Sequence, residues 1–124
     1  MVVLFNFPSL VSILRNHELI SKIEDIRVDE IAQRGFYKMK CRLIPSKYRL
    51  EIKFIKTHEE FIYAYRLYST TTIVRWDNAP HYPGISTYPH HFHDLHGNVL
   101  ESDLTGEAGK DLILVLSKIR KILV

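Results

Sequence analysis

Alternation dominates the middle of the chain. Tyr37, Met39, Cys41 and Leu43 fall on one side, and Lys38, Lys40 and Arg42 on the other. Tyr48, Leu50, Ile52 and Phe54 oppose Arg49, Glu51 and Lys53, and Val74 and Trp76 oppose Arg75 and Asp77. A period of two marks half-buried strands, predicted over 23–32, 36–44, 48–56, 60–68 and 71–77. The breaks at Arg34-Gly35, Pro45-Ser46-Lys47, His58-Glu59 and Ser69-Thr70 are short. Short breaks join antiparallel neighbours, because parallel strands need long crossovers. The period lengthens at both ends. Pro8 suits a first helical turn, and Leu10, Ile13, Leu14 and His17 follow at helical spacing, predicting a helix over 8–20. Leu112, Val115, Leu116, Ile119 and Leu123 form a stripe over 106–123, with Lys118, Arg120 and Lys121 near its C-terminal end. The expected fold is α+β: one domain, 1–124, with an antiparallel meander of about five strands and both helices on one face. The segment 75–97 is expected to follow the meander as a long ordered loop.

This patterning implies a basic open face. With the apolar sides turned to the helices, the other side carries Lys38, Lys40, Arg42, Arg49, Lys53 and Arg75, with Glu51 and Asp77 among them. The fourth strand does not declare its orientation: Phe61, Tyr63, Tyr65 and Leu67 oppose Ile62, Ala64, Arg66 and Tyr68. Such a face is either merely solvated or a phosphate-contacting surface. Lys38, Lys40, Arg42, Lys53 and Arg66 are the candidates for nucleic-acid contact.

Composition narrows the class. A chain of 124 residues, 46% apolar and 25% charged, has a globular profile. Its one cysteine, Cys41, excludes an internal disulfide. The uncharged run over 1–14 is too short for a membrane span, is interrupted by Asn6 and Pro8, and lacks the basic start of a signal peptide. A cytoplasmic location without membrane association is the expectation. A net charge of +3 is compatible with nucleic acid and with a homodimer, and demands neither.

The candidate chemistry is concentrated in RWDNAPHYPGISTYPHHFHDLHG, residues 75–97, which holds His81, His90, His91, His93 and His96 out of seven histidines in all. Arg75 and Asp77 lie two apart and project to one face, roughly 6.5–7 Å apart. Arginine can hold a phosphate bidentately, and aspartate can orient an imidazole. Asn78 suits the turn that follows. Trp76, alternating with Val74, reads as a core anchor. In an extended Pro89-His90-His91-Phe92-His93, His91 and His93 share a side while Phe92 carries His90 inward. Imidazoles titrate near neutrality, so His81, His91 and His93 can act as general acid and base. Metal-free RNA cleavage needs that set plus a cation for the developing phosphorane charge. The same residues support a metal reading: His-x-His can chelate zinc, with His81 or Asp77 completing the site. No cysteine is adjacent and the spacing matches no strong zinc signature. A third reading is structural, with histidines bonding loop backbone; it suits His17, His58 and His96.

The string Arg75-Trp76-Asp77-Asn78-Ala79-Pro80-His81, followed by Pro83 and by Tyr88-Pro89-His90-His91-x-His93, resembles the signature of the TumE family, small toxins of type II toxin–antitoxin pairs. Tyr63-x-Tyr65 and the Leu50-Glu51 strand resemble their counterparts there, and the similarity covers roughly 35–95. It departs where Arg66-Leu67 follows Tyr65 in place of a His-Trp run, and where Pro45-Ser46-Lys47 replaces a common Asp-Gly turn. The resemblance implies a helix-turn-helix antitoxin as partner and growth inhibition by the free toxin. Analogy with other small toxins suggests a metal-independent endoribonuclease, with RNA as target and no cofactor. On that reading Arg75, Asp77, His81, His91 and His93 are catalytic, with His81 and His91 sharing base and acid roles. Glu51, Tyr65, Asn78 and His90 are auxiliary. The alternative is a non-enzymatic nucleic-acid- or ribosome-binding protein. Its histidine loop would then be scaffold or a zinc clip built from His81, His91 and His93.

Overall fold

The computed structural model describes residues 5–124; the first four residues of the uncharged N-terminal run lie outside them. Helix α1 (Phe7–Asn16) is followed by strands β1 (Ile20–Ile31), β2 (Arg34–Leu43), β3 (Arg49–Lys56), β4 (Phe61–Tyr68) and β5 (Thr72–Asp77). Two short strands, β6 (His91–His93) and β7 (Val99–Glu101), precede helix α2 (Ala108–Leu123). All strands lie side by side in chain order, each antiparallel to the next. The α+β meander is therefore as expected, but among the described residues it has seven strands. The difference lies in the segment 75–97. After Asp77 the chain makes proline-rich turns, then returns along β5, so that Asp77 faces His91, Trp76 faces Phe92 and Arg75 faces His93. Three residues between prolines and turns carry too little alternation to announce a strand; pairing with β5 imposes it.

The ends of the elements also moved. The first helix stops at Asn16 and β1 starts at Ile20, earlier than expected. Asn6 caps α1, its side chain accepting from the Ser9 N–H at 3.1 Å. His17 stops it, its Nδ1 accepting from the Leu19 N–H at 3.1 Å.

One hydrophobic core lies between the helices and the sheet. Leu10 and Leu14 of α1, and Leu112, Val115, Leu116 and Ile119 of α2, pack with Met39, Cys41, Leu50, Ile52, Tyr65, Leu67 and Trp76. Tyr63, Tyr65 and Leu67 are buried, so β4 turns Ile62, Ala64, Arg66 and Tyr68 to the open face. Trp76, 2% exposed, is the core anchor its alternation suggested, packed against Phe92 at 4.9 Å between ring centres. Among the described residues no helix is long and apolar enough to cross a membrane.

The His17 bond makes a testable point. An imidazole accepting at Nδ1 must be unprotonated there. Burial, and then the nearby Arg120, lower the His17 pKa from its ordinary 6.5. The folded state thus disfavours the proton, so the contribution is present above pH 6.5 and is lost as pH falls through the lowered folded value. Between pH 7.5 and pH 5 the wild type is expected to lose about 1–2 °C more in Tm than His17→Asn. Thermal melts of both proteins at the two pH values check this.

Candidate functional site

The open face repeats the alternation as rows across the sheet. One row runs Arg27, Lys38, Lys53, Ala64, Asp77, His91, Glu101; the next runs Asp25, Lys40, Glu51, Arg66, Arg75, His93, Val99. Neighbouring strands place such residues about 5 Å apart. Residues far apart in sequence thereby become contacts. Ala64, directly opposite Asp77, extends no long side chain over it.

Asp77 is the hub. It is 4% exposed. Oδ2 accepts from Arg75 Nε at 2.7 Å, and Oδ1 accepts from the Ala79 N–H at 3.0 Å. His91 Nε2 lies 2.9 Å from Oδ1, and His93 Nε2 lies 3.5 Å from Oδ2. The two imidazoles meet edge to face, with ring centres 4.9 Å apart.

The two histidines are held differently. His91 is 2% exposed. Its Nδ1 lies 3.0 Å from the Pro89 carbonyl. A carbonyl only accepts, so Nδ1 carries a proton and Nε2 is the atom turned to Asp77. With both nitrogens engaged, this ring cannot exchange a proton with a substrate unless a bond breaks. His93 keeps 28% of its side chain accessible. Burial lowers its pKa; the Asp77 carboxylate opposes this, while His91 and Arg75 reinforce it. The neutral, proton-accepting form is favoured. Arg75 has 41% of its side chain exposed and uses only Nε on Asp77, leaving its terminal nitrogens for an anion.

Tyr82 was not singled out from sequence. Its ring packs edge-on against His91 at 4.8 Å and His93 at 5.9 Å, and 6.5 Å from the His81 ring. Its only sequence signal is a place between His81 and Pro83 in the histidine segment. His81 itself is exposed and is not among the groups that converge on Asp77. The groups that converge are Asp77, His91 and His93, whose potential ligand atoms lie within 4.8 Å of one another. In that trio Asp77 stands where His81 was the first choice.

The auxiliary candidates separate. Glu51 is on the open face, 3.4 Å from Arg66 Nη2 and 3.6 Å from Lys38 Nζ. Tyr65 lies behind the sheet, fully buried, and is not brought to the site. Its hydroxyl has no hydrogen-bond partner among the described residues. His90 also points behind the sheet, its Nδ1 2.7 Å from the Tyr63 hydroxyl. Asn78 is a backbone surrogate: Oδ1 accepts from the Tyr63 N–H at 2.9 Å, and Nδ2 donates to the Phe61 carbonyl at 2.8 Å. It bonds the start of β4 just beyond the end of β5.

The basic candidates share the face but are not equally free. Glu24, on β1, was overlooked because two register shifts disturb the alternation there. It accepts from Arg42 Nη2 at 2.8 Å and Arg49 Nε at 2.7 Å. Arg66 stacks on Tyr68 at 4.1 Å. Among the described residues Lys40 and Lys53 have no ion-pair partner.

Comparison with curated proteins and with solved structures gave no match. A family model described as Toxin TumE matches residues 10–123, which takes in the sheet, the histidine segment and all of α2. The chain belongs to the TumE toxin family.

Proposed function

We propose that this toxin is the effector of a type II toxin–antitoxin pair and acts in the cytoplasm as a metal-independent endoribonuclease. Its partner would be a helix-turn-helix antitoxin. The observation that carries the reading is the Arg75–Asp77–His93 arrangement, half open to solvent on a sheet face that also bears Lys38, Lys40, Lys53 and Arg66. An open face suits a polymer better than a small ligand, which needs enclosure.

In this reading Arg75 holds the scissile phosphate through its free terminal nitrogens. His93 takes the proton of the 2′-hydroxyl as that oxygen bonds to phosphorus. The P–O5′ bond breaks, and His81 protonates the leaving oxygen. The products are a 2′,3′-cyclic phosphate and a 5′-hydroxyl. His91 and Asp77 position His93 and Arg75 and do not touch the reacting atoms. This differs from an equal sharing of acid and base roles by His81 and His91, because the engaged nitrogens of His91 leave it no free lone pair.

The test is incubation of purified, tag-free protein with RNA in excess EDTA. Cleavage with cyclic-phosphate ends is expected. Tight, salt-sensitive RNA binding with no product would instead support the non-enzymatic binding protein. Lys40→Glu combined with Lys53→Glu is expected to weaken RNA binding and to flatten its salt dependence by about two phosphate contacts. Affinities measured across a salt series give the slope.

A further inference from the structure

We propose that Asp77, His91 and His93 form a binding site for one divalent first-row transition ion, with Zn²⁺ as the probe. The ion would take the place of the proton network now joining these groups. The donor set is two imidazole nitrogens and one carboxylate oxygen, all within 4.8 Å of one another. Metal–ligand bonds of about 2.0–2.1 Å in a tetrahedron need donors about 3.3 Å apart. His91 Nε2 lies 2.9 Å from Oδ1, close to that value, and His93 Nε2, 3.5 Å from the carboxylate's other oxygen, stays within the 4.8 Å that spans the set.

The surroundings fit as well as the donors. His91 Nδ1 donates to the Pro89 carbonyl at 3.0 Å, which fixes the tautomer that presents Nε2. Such an outer bond is the usual support of a ligating histidine. The carboxylate is held from outside by Arg75 and by the Ala79 N–H. An ion would use one carboxylate oxygen and leave the other to Arg75. The ligands sit on paired strands, Asp77 on β5 and both histidines on β6, so little ordering remains to be done on binding. Partly exposed His93 leaves an entry from the open face. Exposed His81 is outside the set.

The consequence rests on the ribonuclease reading: a bound ion occupies the His93 lone pair, so the metal-bound toxin would be silent. The binding itself does not depend on that reading. Tag-free protein, stripped with EDTA and then desalted, is titrated with Zn²⁺ against a chromophoric chelator. One ion per chain is expected, with affinity at least tenfold weaker in His93→Ala and Asp77→Asn and unchanged in His81→Ala. Circular dichroism checks that His93→Ala, the more exposed of the two positions, keeps its fold. No binding by the wild type, or equal binding by His93→Ala, overturns the site. In a parallel arm, stoichiometric Zn²⁺ is expected to stop RNA cleavage by the stripped protein. Cleavage that continues with the ion bound overturns the silencing. Absence of any cleavage by the stripped protein counts against the ribonuclease reading alone, since the titration is read without RNA.

Discussion

Replacing Asp77 with alanine is expected to lower the stability of the fold by about 3 kcal/mol and to abolish growth inhibition. The size follows from what the carboxylate holds. Asp77 is 4% exposed, and His91 beside it is 2% exposed. Removing the acceptor strands a buried imidazole nitrogen and the Ala79 N–H, and frees Arg75 Nε. A buried polar group left unpaired loses its desolvation free energy without return. Lys118 and Asp103 offer a contrast: their pair is 2.9 Å long but largely exposed, and its loss should fall below 1 kcal/mol. Urea unfolding of wild type, Asp77→Ala and Lys118→Ala compares the two directly. An Asp77→Ala protein as stable as the wild type would remove Asp77 from its place as the hub. Asp77→Asn, which keeps the shape, should retain more stability and still be inactive, because an amide cannot accept from Arg75 and both histidines.

His93→Ala is expected to reduce RNA cleavage by about 10²–10⁴-fold, the range for loss of a general base, while leaving the folded state nearly unchanged. The ring is partly exposed, and among the described residues its polar contact is the 3.5 Å approach to Asp77. His91→Ala should behave in the opposite sense. It empties a buried volume beside Tyr82, removes one of the partners of Asp77 and unpairs the Pro89 carbonyl, so stability falls and activity is lost with it. The resemblance gives His91 a share of the acid and base roles; burial shifts that role to His93. Initial cleavage rates beside thermal melts for the two variants separate the roles. Full activity in folded His93→Ala would exclude it as the base.

Much of the architecture was legible because it is written in local periods. Tyr37, Met39 and Cys41 alternate with Lys38, Lys40 and Arg42, and each set lies on the face that alternation assigned. The helical stripe Leu112, Val115, Leu116, Ile119 packs inward for the same reason. Legibility failed where the pattern is short or symmetric. In β4 both sides carry aromatic or aliphatic residues, so only packing could choose Tyr63 and Tyr65 for the core. In β1 the register shifts hid Glu24, which neutralises part of the basic face.

The candidate site divides in the same way. From the residues came Arg75 and Asp77 on one face, His91 and His93 on one side of an extended piece, and His90 turned away. Each is a statement about neighbours two apart, which strand geometry dictates without knowledge of the rest. That His91 rather than His81 stands against Asp77 could not be read locally, since His91 comes fourteen positions after Asp77 along the chain. Tertiary structure decided it, by pairing β6 with β5 and burying Phe92 on Trp76. In this register the aromatic pair packs behind the sheet while both histidines meet Asp77 on the open face. A shift of one residue would turn both histidines to the far side of the sheet. The amino-acid order thus determined which side chains share a face; only the packed sheet determined which of them meet, because contact between strands depends on a register stabilised by burial.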